Sequence, residues 1–372
     1  MAKNSEAVIK QLVKNHGTPL ALIKRSRLQW AVERFKRLLP RVKPYYAIKA
    51  NPHPDILQTF VGLGMGFDVA SLQEIDMCLK AGARPDSLIF ANTIKRREAL
   101  QYAVQKKVRT MTFDSGYELN KIAKFAPGAR VLVRIKVPNV GSLVELSLKF
   151  GVDPADAMPL LIKAKQLGLD PVGVSFHVGS QCTHVENFVE AFEMASIILN
   201  DSRLKGLPMR ILDIGGGFPI RHFDHERQDP FEQMAPTLNR EINRLFDSSV
   251  ELIAEPGRSF VGPAVTLVTR VIGKAIRENK HWYYLDDGVY GGFSGIVFDH
   301  CRYQFKVFKR GETQISTLAG PTCDSFDIIA RSEELPELDI DDIVYVENIG
   351  AYSVASATYF NGFPPAKCVM IE

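Results

Sequence analysis

Eight short apolar runs, each followed by a stretch with helical spacing, constrain this chain more than any other feature. The runs fall at 45–49, 66–70, 88–92, 109–113, 130–135, 172–178, 209–214 and 250–254. The segments between them, 53–63, 71–81, 95–107, 116–125, 154–167, 186–200 and 231–246, place apolar residues three and four apart. Strands buried on both faces read as continuous apolar runs. Eight of them alternating with helices predict an α/β fold, a (β/α)8 TIM-like barrel.

After Glu255 the pattern changes. Strand-like runs at 264–273, 281–286, 315–319, 343–347 and 367–371 are separated by Gly, Pro and Asp turns. They predict an all-β second domain, completed by the N-terminal run near 18–23. The expected division is a barrel over 25–260 and a β-domain of 1–24 with 261–372. The charged stretch 221–230 is expected to be a mobile loop.

Composition narrows the classes. The 372 residues carry a net charge of +4, with basic residues spread along the chain. The clusters Lys24-Arg25-Ser26-Arg27 and Lys95-Arg96-Arg97 read as solvated helix faces, so no nucleic-acid partner is expected. Five cysteines in no metal-like or redox-like spacing point to a reducing compartment. No run of eighteen apolar residues and no signal-peptide pattern is seen, so the expectation is a cytoplasmic protein without a membrane partner. His222 and His225 lack a third ligand, and no metal site is expected.

The predicted strands end on polar residues: Lys49, Asp68 to Ser71, Asn92, Asp114, Arg134, His177, Asp213 and Glu255. In a barrel these ends converge on the face where active sites form. A lysine closing a buried strand has its ammonium form disfavoured, which leaves a nucleophilic amine. Gly215-Gly216-Gly217 after one strand, and Gly257-Arg258 after the next, fall in the two loops where barrels commonly hold phosphate. The dinucleotide and nucleotide-triphosphate fingerprints are absent. A barrel with a phosphate site, a terminal lysine, a histidine and a carboxylate suggests pyridoxal phosphate.

The motifs then become specific. Tyr46-Ala47-Ile48-Lys49-Ala50-Asn51, Phe67-Asp68-Val69-Ala70-Ser71, Ser175-Phe176-His177-Val178-Gly179-Ser180, Gly215-Gly216-Gly217-Phe218 and Ala254-Glu255-Pro256-Gly257-Arg258 occur in order. Asp287-Gly288-Val289-Tyr290-Gly291, Gly320-Pro321-Thr322-Cys323-Asp324, Gly350-Ala351-Tyr352 and Phe360-Asn361-Gly362-Phe363 follow. From about residue 18 onward the chain resembles the alanine-racemase-fold pyridoxal-phosphate decarboxylases of the ornithine decarboxylase type.

The resemblance implies roles. Lys49 would form the Schiff base with pyridoxal 5'-phosphate, with His177 on the ring face and Glu255 on the pyridine nitrogen. Arg134 would lie near the ring, and Asp68 and Glu74 would support the lysine. Ser180, Gly215, Gly216, Gly217, Gly257, Arg258 and Tyr352 would hold the phosphate. Cys323 would return a proton to the decarboxylated carbon. Asp299 and Asp324 would bind the distal amine, in a pocket shaped by Tyr290 and Phe360. A homodimer with shared sites is implied, the second domain supplying Cys323 and Asp324 to its neighbour.

Two carboxylates suit a substrate ending in a cation. The implied reaction is decarboxylation of L-ornithine to putrescine and carbon dioxide, a step of polyamine biosynthesis. Lysine is one methylene longer, a difference of only about 1–3 kcal/mol in an apolar pocket, so dual use stays open. Arginine and diaminopimelate are further alternatives. Phe298 stands where such enzymes commonly have tyrosine, and Ser325-Phe326-Asp327 follows Cys323-Asp324 where glycine is usual. A cofactor-free protein like the antizyme inhibitors would not need Lys49, His177, Glu255, Cys323 and Asp324 together. A racemase would need a second base where Cys323 stands.

Overall fold

In the computed structural model, residues 2–142, 149–207, 209–221, 223, 225–226 and 228–372 are described. The chain divides into two units. One comprises residues 1–28, 221–227 and 261–372, and the other 29–220 and 228–260. His222 lies outside the described residues, as do positions 224 and 227 of the expected mobile loop.

The chain opens with helix α1 (Ala2–His16) and strand β1 (Leu20–Lys24). Helix α2 (Arg25–Leu38) then leads to the barrel strand β2 (Val42–Ala47). From there helix and strand alternate: α3 (Pro54–Gly62), β3 (Gly66–Val69), α4 (Leu72–Lys80), β4 (Leu88–Phe90), α5 (Arg97–Gln105) and β5 (Thr110–Phe113). The alternation continues through α6 (Gly116–Phe125), β6 (Arg130–Arg134), α7 (Pro154–Gln166) and β7 (Asp170–Ser175). It ends with α8 (Val185–Leu204), β8 (Ile211–Asp213), α9 (Pro230–Leu245) and β9 (Glu251–Ala254). Strands β2 to β9 are parallel and close into a barrel, β2 pairing with both β3 and β9. The expected (β/α)8 barrel is therefore present.

Local chemistry fixes the helix starts. Ser71 and Ser115 accept the N–H of Glu74 and Glu118 at the starts of α4 and α6. Asp153 and Asp229 cap α7 and α9, each followed by proline in the first helical turn. Alternation along the strands sorts the core into two layers. Tyr45, Ile89, Leu132, Val172, Ile211 and Ile253 come from six strands and form one buried cluster that fills the barrel. On the other parity, Tyr46 packs outward against Phe60 and Phe260 at ring separations of 4.6 and 6.4 Å.

Beyond the short helix α10 (Arg258–Val261), the other unit contains β10 (Val265–Arg277), β11 (Lys280–Leu285), α11 (Gly295–Phe298) and β12 (Phe305–Val307). It ends with β13 (Thr313–Ala319), β14 (Ile328–Pro336), β15 (Ile343–Val346) and β16 (Lys367–Ile371). These form a mostly antiparallel sheet in the order β12-β15-β10-β11-β13-β14. Strand β1 joins it between β10 and β16, in register from Leu20 to Ile23 against Val268 to Val265. Ile9 of α1 packs on Leu20, Leu22 and Val268 beneath it.

Candidate active site

In the barrel unit, β2 ends at Ala47, and Lys49 lies in the 3-10 turn Ile48–Ala50 that follows. This corrects the expectation of a lysine closing a buried strand. The turn, closed by the Asn51 N–H on Ile48 O at 3.0 Å, takes the residue out of the strand ladder. Its side chain is 43% exposed, and Nζ donates to Asp68 Oδ2 at 2.5 Å. Asp68 is buried on β3, and its Oδ1 has no hydrogen-bond partner among the described residues. Behind it, Glu74 of α4 accepts the Ala70 N–H at 2.5 Å. Burial pushes the Glu74 carboxyl up to about 7 against that hydrogen bond, with Asp68 adding to the rise.

Around the barrel mouth, Arg134 ends β6 and packs its guanidinium 5.3 Å from the Phe150 ring centroid. His177 lies two residues past β7, and its Nδ1 accepts the Gly179 N–H at 3.0 Å. Burial, and then the positive charges of Arg134 and Lys49, hold the imidazole well below its usual pKa. The ring is therefore neutral, with its proton on Nε2. That suits stacking against an aromatic ring better than an imidazolium would.

The glycine triplet follows β8. Gly215 and Gly217 have φ of +65° and +98°, the left-handed region that favours glycine. A Cβ on Gly215 would stand 2.1 Å from Phe176 O, and one on Gly216 would stand 2.8 Å from Glu255 O and 3.0 Å from His177 Nε2. The triplet thus lets three strand ends approach closely. The Gly215 N–H is already used by Asp213 Oδ1 at 2.9 Å.

Asp213 and Glu255 form a buried carboxylate pair that the sequence did not mark as a unit. Burial raises both carboxyls; the Asp213 charge adds to the rise of Glu255, which lies well above its usual range, while a hydrogen bond with Glu255 holds Asp213 back to about 7. Neither Asp213 Oδ2 nor Glu255 Oε1 has a hydrogen-bond partner among the described residues. Nearby, the Arg258 guanidinium donates to Ser180 Oγ at 3.4 Å. Gly257 caps the turn into α10, its carbonyl accepting the Phe260 N–H.

Lys95 departs from its expected solvated face. It is fully buried, and Nζ donates to Thr112 O at 2.6 Å and Asn92 O at 2.8 Å, with Glu118 Oε1 at 3.3 Å. The cation ties the ends of β4 and β5 to α6, and burial lowers its pKa to about 8. Three consecutive basic residues masked this one.

In the β unit, the Tyr290 hydroxyl donates to Asp324 Oδ2, and the Phe326 N–H donates to Asp324 Oδ1 at 3.0 Å. These two bonds hold the Asp324 carboxyl below its usual pKa, Phe326 contributing most. Phe360 stacks on the Tyr290 ring at 4.3 Å and 23°. Cys323, next to Asp324, is exposed, and its N–H donates to Asn361 Oδ1 at 3.0 Å. Asp299 follows α11, half-buried. Tyr352 is half-buried with φ of +54°, and its carbonyl accepts the Ser356 hydroxyl. Among the described residues, no group of three or more His, Cys, Asp or Glu is arranged to hold a metal ion, and no helix is long and apolar enough to cross a membrane.

The barrel residues fit pyridoxal phosphate. Lys49 offers a solvent-open primary amine for an aldehyde. Glu255 Oε1 is a buried carboxyl oxygen with no partner among the described residues, and a ring nitrogen placed there would share the proton that burial favours on this carboxyl. Ser180 and Arg258 bring a hydroxyl and a guanidinium together, a pairing suited to a phosphate.

Comparison with known proteins agrees. Residues 25–262 match the pyridoxal-binding domain of the pyridoxal-dependent decarboxylases. The chain belongs to this family. This decarboxylase is 40% identical to the lysine/ornithine decarboxylase of Selenomonas ruminantium, over 99% of this chain and 93% of that one. It is 39% identical to the ornithine decarboxylase of Schizosaccharomyces pombe, over 91% of this chain and 80% of that one. Antizyme inhibitor 2 of Xenopus laevis is also 39% identical, over 89% and 76%. The crystal structure of SrLDC in complex with PLP and cadaverine superposes with a TM-score of 0.92 at 40% identity, covering 97% of this chain and 92% of that one. The Paramecium bursaria Chlorella virus arginine decarboxylase gives 0.93 at 33% identity, covering 98% and 100%. The decarboxylase is of the ornithine decarboxylase-like, alanine-racemase-fold type, uses pyridoxal 5'-phosphate and acts on a basic amino acid.

Proposed function

We propose that this decarboxylase converts L-ornithine to putrescine and carbon dioxide in a homodimer with shared active sites. The observation that carries the reading is the Tyr290–Asp324 pair. An ionised carboxylate, fixed by a phenol hydroxyl and a backbone N–H, lies beside an exposed thiol. It is a receptor for a distal ammonium, with an acid one residue away. Asp299 serves as the second carboxylate, and Tyr290 and Phe360 wall the pocket.

Bound pyridoxal phosphate supplies the electron sink for the pair left as carbon dioxide departs. Lys49 Nζ would hold the cofactor through its aldehyde, with Asp68 as its counter-ion. Glu255, backed by Asp213, keeps a proton at the ring nitrogen. Neutral His177 would cover one ring face, and Arg134 would lie near the ring. Ser180, Arg258, Gly257, the Gly215–Gly217 backbone and Tyr352 receive the phosphate. Cys323 Sγ of the partner subunit transfers its proton to the α-carbon and regains one from solvent. The net change is loss of carbon dioxide and gain of one proton.

Exposed Phe298 and Phe326, 62% and 60% open, support an interface on the β unit. A second reading, dual use of lysine and ornithine, is favoured by the 40% identity to an enzyme of that description. The test is carbon dioxide release from ornithine, lysine, arginine and diaminopimelate with added pyridoxal phosphate. Ornithine should have the highest kcat/KM, with lysine next. Preference for diaminopimelate or arginine would overturn the substrate assignment.

A further inference from the structure

Two buried carboxylates in the β unit have no role so far. Asp327 is 2% exposed. Its Oδ1 accepts the Val289 N–H at 2.8 Å. Its Oδ2 accepts both the N–H of Thr322, at 3.1 Å, and the Thr322 hydroxyl, at 2.7 Å. Its backbone closes the same turn, the N–H donating to Asp324 O at 3.0 Å and the carbonyl accepting the Gly320 N–H at 2.8 Å. Asp287, also buried, accepts the N–H groups of Gly288 and Gly292 at 2.8 and 2.9 Å and so closes the turn that carries Tyr290.

The neighbouring glycines follow from the carboxylate. A Cβ on Gly288 would stand 2.2 Å from Asp327 Oδ1, and one on Gly320 would stand 2.3 Å from the same atom. Both turns are therefore wrapped around one side chain. Val289 precedes Tyr290, and Thr322 precedes Cys323. A carboxylate bonded to Val289 and Thr322 fixes where the phenol and the thiol emerge. Buried charge-assisted bonds to several N–H groups are strong and directional. The Tyr290–Asp324 bond then joins the two turns at their tips.

The geometry points to Asp327 as a positioning residue that holds the Tyr290–Asp324 substrate anchor and the adjacent Cys323 thiol in register. This rests on the reading of Asp324 as the receptor for the distal ammonium. Asp327 touches no substrate itself and acts through the two turns. Loss of a carboxylate that only stabilised the fold would lower the melting temperature and leave substrate affinity unchanged.

The experiment compares wild type, Asp324→Asn, Asp327→Asn and the double variant as cofactor-loaded enzymes. It reads kcat and KM for ornithine, the Kd of putrescine and the melting temperature. Asp327→Asn keeps the size of the side chain but turns an amide donor toward one of its N–H partners. KM and the putrescine Kd should rise about tenfold, the scale of one lost charge-assisted bond. The same change added to Asp324→Asn should alter them less than about twofold, because the two act through one anchor. Asp327→Asn effects that multiply undiminished on Asp324→Asn, or an unchanged KM and Kd, overturn the inference. If Asp324→Asn is itself silent, the substrate reading falls and the inference falls with it. If only Asp327→Asn is silent, the inference alone falls. Should Asp327→Asn fail to fold, Thr322→Val removes a single donor and should raise KM roughly threefold, again coupled to Asp324. An unchanged KM in Thr322→Val overturns the inference in that case.

Discussion

Glu74 offers a quantitative test of the electrostatics behind Lys49. Its carboxyl, half-buried on α4 near Asp68, rises from a usual value of 4.5 to about 7, with desolvation the largest cause. Between those two pH values the folded protein keeps a proton that the unfolded chain has released. Stability contributed by this group is thus fully present below pH 4.5, falls as pH rises through about 7, and is flat above. At about 1.4 kcal/mol per pK unit, the rise corresponds to a loss of about 3 kcal/mol on going to pH 8. Glu74→Gln removes the titration, while its amide oxygen can still accept the Ala70 N–H. The assay is urea unfolding of the cofactor-free protein at pH 4.5 and pH 8, variant against wild type. Asp213, Glu255 and Asp287 titrate in both proteins and cancel in the difference. The variant should match wild type within about 0.5 kcal/mol at pH 4.5 and exceed it by about 2–3 kcal/mol at pH 8. A difference independent of pH, or a variant less stable at pH 8, would refute the reasoning.

Other outcomes follow from the same geometry. Lys49→Ala should lose the absorbance of lysine-bound cofactor and nearly all carbon dioxide release, both read by spectrophotometry and a radiometric assay. Gly216→Ala places a methyl 2.8 Å from Glu255 O and 3.0 Å from His177 Nε2, so it should weaken cofactor affinity more than tenfold while far-UV circular dichroism stays unchanged. Asp324→Asn should lower kcat/KM for ornithine at least tenfold. The same variant should act far less on an amino acid of the same length with an uncharged end, which competition assays can measure.

Much of the barrel was legible because strands covered on both faces carry few polar residues along their length. The polar groups therefore stood out where each strand ended. Strand ends were less legible, as Lys49 illustrates: apolar character runs on through Ile48, yet the ladder stops at Ala47. In the β unit, β14 was missed because Arg331, Glu333 and Glu334 interrupt it at the end of the sheet path, and β12 because it is only three residues long. At the site, single residues with family motifs were readable. Partnerships across distant sequence were not. Asp213 backs Glu255 from another strand, and Lys95 reaches Thr112 and Glu118 from within a basic run. Asp327 stood in the Ser325-Phe326-Asp327 stretch, read only as following Cys323-Asp324 where glycine is usual, yet its side chain bonds two turns.

The proposed shared site pairs Lys49 of one chain with Cys323 of another. Its most direct test mixes a Lys49→Ala chain with a Cys323→Ala chain under subunit exchange and measures carbon dioxide release from ornithine. Each mixed dimer then holds one site with both residues and one with neither. At equal mixing, activity should recover to about a quarter of wild type, since about half the dimers are mixed and each has one working site of two. Activity no greater than the sum of the two separate variants, with exchange confirmed, would contradict the shared site.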